Sequence, residues 1–294
     1  MVGSRRNQYP AGRPILPVQQ YPPIPTVGDE AAPEFAGHLW LLEAVEGSLL
    51  RFQLSDSGAI RFGGRRRSYH DDDAIPRPCR RAVRHVRERL DRAALRRAVD
   101  DVRSLTFVGW ATHRERIDYD WARLPPFLGF DVYAADTDAF RPPDDAEAIF
   151  DSLGLDPANA VERERHSRDF DPESYRIPES AWYDGPAAGV VIRDKRGGRA
   201  RLTNSEISTQ SENLAESEEA GSLAAAVATD RRFERVATRL RERGQAATVD
   251  ELRDRVIEDV YREEHGRLFE GERAIDESTF RTAVARRAQR FLGG

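Results

Sequence analysis

Arginine is the residue type in this sequence that offers the most functional chemistry. The chain has 294 residues, and of its 46 basic residues only one, Lys195, is a lysine. Residues 61–103 contain 14 of the arginines against seven acidic residues, in a chain of net charge −5. Because guanidinium groups bind phosphate in a bidentate manner and stack on bases, this segment predicts contacts with a nucleic acid.

A purely structural explanation of the same segment stays open. Arg84 and Glu88, and likewise Arg87 and Asp91, have the i,i+4 spacing of ion pairs on one face of a helix. In that case the charges neutralise one another and the helix simply faces solvent. The sequence leaves both interpretations standing.

Few side chains offer a nucleophile or metal ligands. Cys79 is the only cysteine, which excludes a disulfide framework and a Cys-rich zinc site. His70 beside the acidic run at 71–73 is the most ligand-like cluster, but a solvated turn has the same composition. Lys195 falls in a turn between two strands, where we expect it to be solvated. The sequence therefore predicts no metal site.

Composition limits the class of protein. Hydrophobic residues make up 39% of the chain, enough for a sizeable core. No run approaches 18 apolar residues, so no membrane span is expected. The first 25 residues lack the apolar segment of a secretory signal. Together with the single cysteine, these features favour a cytoplasmic location.

The segments that must position these side chains alternate between strands and helices. Residues 78–103 predict one helix, because Val83, Val86, Leu90 and Ala94 have the spacing of a single buried stripe. Period-two patterns bounded by turn residues predict strands at 39–43, 49–54, 60–62, 105–108, 127–133, 189–193 and 199–202.

The chain divides into a tail and two domains. Residues 1–20, rich in proline and glycine, predict a disordered tail. Residues 21–205 predict an α+β domain of antiparallel sheets flanked by helices, one of them at 143–153. Residues 206–294 predict a helical domain. Its helices are expected at about 223–243, 248–269 and 276–292.

Six short segments between residues 39 and 204 carry a family resemblance. They are Glu43-Ala44-Val45-Glu46-Gly47-Ser48, Phe62-Gly63-Gly64-Arg65-Arg66-Arg67, Phe107-Val108-Gly109-Trp110, Phe127-Leu128-Gly129-Phe130-Asp131-Val132, Ala188-Gly189-Val190-Val191-Ile192-Arg193 and Arg199-Ala200-Arg201. In this order they resemble the motifs of the RNA ligases, most closely the RNA ligase 2-like group of the covalent nucleotidyltransferases. The resemblance implies the adenylyltransferase fold, with ATP and Mg²⁺ as cofactors and RNA as partner.

The resemblance also locates what is missing. Family members join RNA 3′-hydroxyl and 5′-phosphate ends through a lysyl-AMP intermediate, which needs an unprotonated lysine. Ala44 stands at the position of that lysine, Trp110 and Ala188 at the positions of two glutamates, and Glu46 at the position of the acid beside the nucleophile. A methyl group is not a nucleophile, so the resemblance implies an RNA ligase-family protein impaired or inactive in self-adenylylation.

The same motifs imply a set of nucleotide-binding residues. Phe130 would stack on the adenine, although a strand phenylalanine is equally typical of a core. The other implied residues are Glu43, Arg65, Arg67, Arg193, Arg199 and Arg201. A charged turn and the polar face of a surface strand are the structural alternatives for the arginines.

Three functional hypotheses follow. The first is the impaired ligase. The second is a non-catalytic pseudo-ligase, a pseudoenzyme that binds RNA or a nucleotide. The third is a structural or interaction role without nucleic acid. The C-terminal helices resemble, at the level of fold alone, the accessory domains with which RNA ligases engage RNA ends.

Overall fold

The structure, a computed structural model, describes residues 19–207, 220–269 and 276–293. The strands within these ranges are β1 (His38–Ala44), β2 (Gly47–Leu54), β3 (Ile60–Gly63), β4 (Ser68–Tyr69), β5 (Leu105–Thr112), β6 (Phe127–Ala134), β7 (Ala139–Phe140), β8 (Ala160–His166), β9 (Gly189–Asp194) and β10 (Arg199–Thr203). The α-helices are α1 (Arg80–Arg89), α2 (Arg92–Ala98), α3 (Pro143–Ser152), α4 (Ala220–Val227), α5 (Asp230–Glu242), α6 (Val249–Glu263), α7 (His265–Phe269) and α8 (Glu277–Gly293).

The strands form two antiparallel sheets. The four-stranded sheet has the order β10-β9-β1-β8, and the six-stranded sheet has the order β4-β3-β2-β5-β6-β7. Helices α1, α2 and α3 flank the six-stranded sheet, and helices α4 to α8 follow it along the chain. The predicted α+β class, with antiparallel sheets, flanking helices and C-terminal helices, is confirmed.

The two-residue period of the strands gives the six-stranded sheet two apolar faces. On one face, Phe52 and Phe107 pack in one core with Val86 of α1. On the other face, Val108 packs with Leu42 of the four-stranded sheet, so the two sheets face each other across a shared core. Helices α4 to α8 bury a separate core of their own.

The predicted helix at 78–103 is wrong as a single element. The chain leaves α1 at Leu90, whose ψ of 117° is not helical, and Asp91 then caps α2 by accepting the Ala94 N–H at 2.8 Å. Val83, Val86 and Leu90 are buried as predicted. A short capping side chain at the break provides an alternative to continuing the helix.

Other boundaries also differ from the prediction. Strand β8 was missed, because its sequence AVERERH has charged residues on an exposed sheet edge and no apolar alternation. The predicted helices at 223–243 and 248–269 are each interrupted, after α4 and after α6. Residues 1–18, most of the predicted tail, lie outside the described residues.

The arginine-rich face of α1 docks on the C-terminal helices. Arg81 pairs with Asp259 at 3.0 Å, and Arg84 donates to both carboxylate oxygens of Glu258 at 2.6 and 2.7 Å. The predicted Arg84–Glu88 pair is therefore wrong. The predicted pair of Arg87 with Asp91 is wrong too, since Arg87 pairs with Asp72 at 2.5 Å.

The Arg81–Asp259 and Arg84–Glu258 contacts join segments more than 170 residues apart, which no local spacing rule can detect. No helix among the described residues is long and apolar enough to cross a membrane.

Candidate functional site

A cavity of about 190 Å³ opens between the two sheets. Its lining comes from five of the six motif segments, although these are scattered over more than 150 residues of sequence. The motif residues that line it are Ala44, Val45, Glu46, Gly47, Arg65, Trp110, Ala188, Val191 and Arg201. The remaining wall consists of Ile24, Glu115, Arg116, Leu202 and Thr203.

Strand register brings these positions together. In the four-stranded sheet, Ala44 of β1 pairs with Gly189 of β9, and Val191 of β9 pairs with Arg201 of β10. In the six-stranded sheet, Trp110 of β5 pairs with Leu49 of β2. Because side chains alternate along each strand, these pairings place the motif residues on the faces that meet between the sheets.

Trp110 covers the ring that the sequence predicted to bind adenine. The indole of Trp110 stacks on Phe130 with ring centroids 4.8 Å apart and an angle of 28° between planes. Tyr21 meets Phe130 edge-on at 5.6 Å. Phe130 is 4% exposed and does not line the cavity, so its ring is held in the core between the sheets.

A β-bulge sets the position of Phe130. Val108 pairs with Asp131 whereas Gly109 pairs with Gly129, which leaves Phe130 as the extra residue of β6. Such bulges re-aim side chains next to functional sites.

Arg193 and Arg199 are held in a buried network around Asp131. Arg193 Nη2 lies 2.8 Å from Asp131 Oδ1, and Arg199 Nη2 lies 2.8 Å from Asp131 Oδ2. The Tyr21 hydroxyl donates to Asp131 Oδ2 at 2.9 Å, and Arg199 also stacks over Phe140 at 4.3 Å. These two arginines are thus turned toward protein groups and lie outside the cavity lining.

The two glutamates of the first motif also serve the protein's own structure. Glu43 is buried and accepts from Ser180 Oγ at 2.6 Å and Asn159 Nδ2 at 2.8 Å. Glu46 accepts the backbone N–H groups of Glu115, Arg116 and Ile117 at 2.8–2.9 Å. Only Glu46 borders the cavity.

Arg65 and Arg67 belong to the same tight turn, but only Arg65 lines the cavity. Gly64 donates its N–H to the Arg67 carbonyl at 2.9 Å, and Tyr21 donates its N–H to the Arg65 carbonyl at 3.2 Å. The Arg65 side chain is half-buried and lines the cavity, whereas Arg67 is exposed and does not. A side chain at Gly63 would meet the Arg67 carbonyl at 2.6 Å, so this turn needs glycine.

The only lysine lies far from Ala44. Ala44 pairs with the first residue of β9, and Lys195 follows its last residue, a separation of about 20 Å along the strand. Lys195 Nζ lies 2.7 Å from Glu164 and 3.2 Å from Asp144, and the hydrogen bond to Glu164 raises the pKa of the lysine. Lys195 is accordingly protonated at neutral pH and placed away from the cavity.

The residues around the cavity do not fit a Mg²⁺–ATP complex. Neither Trp110 nor Ala188 offers a carboxylate. Of the two acidic residues in the lining, Glu46 and Glu115, the Glu46 carboxylate already accepts three backbone N–H groups. In the described parts of the chain, no three His, Cys, Asp or Glu side chains are placed to hold a metal ion. That includes the cluster at His70, where Asp72 pairs with Arg87.

A pair of histidines, the buried His113 and the half-buried His265, lies outside the cavity lining. His113 is buried, with Nε2 2.9 Å from Ser48 Oγ and its ring 4.6 Å from that of His265 in α7. Burial, with the neighbouring His265, lowers the pKa of His113 to about 3, and burial lowers the pKa of His265 to about 4. Both rings are neutral at pH 7 and form part of the contact with the C-terminal helices.

Comparisons with known proteins find similarity to solved RNA ligase structures at low sequence identity. No family model and no curated protein matches the chain. An archaeal ATP-dependent RNA ligase is 18% identical with a TM-score of 0.46 in one form, and 17% identical with a TM-score of 0.45 in a second form. In both, the match covers 92% of this chain and 63% of the archaeal chain.

A variant of the Naegleria gruberi RNA ligase, solved with ATP and Mn, is 13% identical with a TM-score of 0.44, and the match covers 58% of this chain and 50% of that one. This chain thus spans less than two thirds of the length of these structures. A likeness at this level assigns neither an activity nor a ligand.

Proposed function

We propose that this chain is an RNA ligase-like protein that no longer forms lysyl-AMP and instead binds single-stranded RNA. The observation that carries the proposal is the convergence of Ala44, Arg65, Trp110, Ala188 and Arg201 on one cavity between two antiparallel sheets. These positions come from separate motif segments, and their convergence supports the resemblance on which the ligase-like assignment rests.

Loss of catalysis follows from the same residues. Ala44 has no amine, and Lys195 lies at the other end of β9 with two carboxylate partners. Trp110 covers Phe130, which removes the surface on which an adenine would stack. Loss of a covalent nucleophile ends that route altogether, whatever the remaining groups contribute.

Binding of RNA follows from what the cavity keeps. Arg65 and Arg201 border it, and within the described residues neither side chain has an ion-pair partner. Arg66 and Arg67 extend the positive charge outward on an exposed turn. Such arginines suit successive phosphates of a strand.

Labelling with ATP carrying ³²P at the α-phosphate tests the loss of self-adenylylation. The wild-type protein with Mg²⁺ should retain no label under denaturing conditions. Ala44→Lys alone should label weakly or not at all, because Trp110 and Ala188 are unchanged. Lys195→Arg is the matched control, since label that disappears with it would place the AMP on Lys195 and contradict the proposal.

A titration with a fluorescent single-stranded RNA tests binding. If Arg65 and Arg201 each contact one phosphate, raising salt from 50 to 200 mM should weaken binding about sevenfold. Arg65→Ala should weaken binding and reduce this salt dependence, whereas Arg286→Ala, an exposed arginine on α8, should do neither. An affinity that ignores salt would count against the proposal.

A further inference from the structure

Trp110 is the feature of the cavity that a lost active site does not explain. A small or polar residue would suffice where a glutamate is absent, yet here a large aromatic ring stands at the wall. One face of the indole stacks on the buried Phe130, and the same side chain also borders the cavity. Because Phe130 is itself fixed by Tyr21, the indole has a rigid support.

The rest of the cavity suits a flat apolar group joined to an anion. Ile24, Val191 and Leu202 give it apolar walls, and Arg65 and Arg201 lie at the same cavity. Its volume of about 190 Å³ is below the ~300 Å³ at which pockets for larger organic ligands begin. The space is therefore more appropriate to a single base than to a complete nucleoside triphosphate.

The wall contains two acidic residues, Glu46 and Glu115, and the Glu46 carboxylate is already compensated by the protein. Three consecutive backbone N–H groups and the Arg116 guanidinium, at 3.2 Å, neutralise the Glu46 carboxylate. Besides the Glu46–Arg116 pair, the lining has the two positive charges of Arg65 and Arg201 against the one negative charge of Glu115, so the net charge offered to a ligand is positive.

We infer that this cavity holds one unpaired base of a single-stranded RNA, stacked on the indole of Trp110, with the adjoining phosphate on Arg65 and Arg201. The inference rests on the proposed function and specifies how the RNA is held. A strand is favoured over a free mononucleotide because Arg66 and Arg67 continue from Arg65 on the exposed turn, where further phosphates would pass. Aromatic stacking of this kind tolerates any base, since every base has a π-face.

Trp110→Leu tests the inference, because leucine keeps Phe130 covered while removing the stacking face. Binding of a ten-nucleotide oligoadenylate, measured by fluorescence anisotropy, should weaken about 5- to 150-fold. Trp110→Phe, which keeps a ring, should restore most of the affinity. Trp121→Leu is the matched control, as Trp121 is partly exposed but lies under Arg262 and outside the cavity lining.

An abasic oligomer of the same length separates base contacts from phosphate contacts. Wild-type protein and Trp110→Leu should bind it with equal affinity, since the stacked base is already gone. Melting temperatures of the variants within a few degrees of wild type show that the fold is kept.

The outcomes distinguish the inference from the proposed function. If wild-type protein binds RNA and Trp110→Leu binds it equally well, the inference is overturned while the proposed function stands. If free AMP competes as well as the oligomer, the strand part of the inference is overturned. If wild-type protein binds no RNA at all, the proposed function fails and the inference fails with it.

Discussion

At the scale of single residues, the contacts of individual side chains between the two sheets determine which groups are available to a ligand. Trp110 stacks on Phe130, and Asp131 holds both Arg193 and Arg199. With Glu43, which accepts from Ser180 and Asn159, four of the residues that the motifs assign to nucleotide binding thus have partners within the protein. Arg65 and Arg201 remain at the cavity, which is why the proposals concentrate on them.

Asp131 is a buried residue whose loss should strongly reduce stability. It is fully buried and is the carboxylate partner of two buried arginines. Asp131→Asn should lower the free energy of unfolding by about 3–5 kcal/mol, because an uncompensated buried charge remains. Urea denaturation measures this. Asp136→Asn, on an exposed turn, should stay within about 0.5 kcal/mol, and a comparable effect of the two changes would contradict the account of the network.

At the scale of elements, α7 docks on the segment after β5 that also builds the cavity wall. Arg114 donates its N–H to the Arg262 carbonyl at 2.9 Å, and Gly266 donates its N–H to the Arg114 carbonyl at 2.9 Å. The next residue, Glu115, donates its backbone N–H to the Glu46 carboxylate at the cavity wall. The C-terminal helices and the cavity therefore share one loop.

Gly266→Ala tests this shared loop. A Cβ at Gly266 would lie 2.0 Å from the Glu115 carbonyl oxygen, so the two segments must separate. We expect a loss of about 1–3 kcal/mol in the free energy of unfolding. Gly293→Ala is the control, because nothing lies within 4 Å of its Cβ and alanine favours a helix. Equal stability of the two variants would show that α7 does not dock as described.

The His113–His265 contact predicts a pH dependence of folding. Both pKa values, about 3 and about 4 in the folded protein, lie below the ordinary value near 6.5. The unfolded chain therefore binds more protons between pH 4 and 6.5, and stability present above pH 6.5 is lost as the pH falls. The slope should reach about 1.4 kcal/mol per pH unit for each histidine.

Unfolding curves of His265→Gln between pH 6.5 and 4.5 measure this contribution. The variant should show a flatter pH dependence than wild type. Arg77 and Arg262, the cations that face the pair, stay charged over this range and leave the sign unchanged. His70→Gln, on an exposed turn, should follow the wild-type curve, and a wild-type slope in His265→Gln would refute the assignment.

At the scale of the whole molecule, buried contacts join the sheets to the C-terminal helices. Arg262 is buried and donates to the Thr112 carbonyl at 3.1 Å and the Leu124 carbonyl at 2.7 Å. Its guanidinium also lies 4.9 Å from the centre of the Trp121 ring. With the ion pairs of α1, these contacts predict that the two parts unfold together.

Two spectroscopic probes test joint unfolding. All four tryptophans precede residue 183, so fluorescence follows the sheets, whereas far-ultraviolet circular dichroism is dominated by the helices. The two transitions should coincide in wild type and in Arg286→Ala. They should separate in Arg262→Ala, which leaves the carbonyls of Thr112 and Leu124 unpaired. Separate transitions in wild type would mean that the parts fold independently.

Much of the architecture could be predicted because it depends on local patterns. The strand segments have period-two alternation, and the helix starting at Pro143 has proline at its first turn and Gly154 after its end. Strand β8 and the break at Leu90 could not be predicted in this way. The first depends on pairing with β1, and the second on a cap that competes with helical continuation.

The candidate site likewise has some features that the sequence alone determines and others that depend on the tertiary structure. Residue identity alone shows that alanine stands at position 44, where the motif resemblance implies a lysine, and that Lys195 is the only lysine in the chain, because a missing amine needs no coordinates. Which arginines remain available for a ligand depends on partners that are distant in sequence: Asp131 for Arg193 and Arg199, and α6 for Arg81 and Arg84. The sequence gives only the total charge of a segment. Folding determines which charges neutralise each other and which still face a cavity.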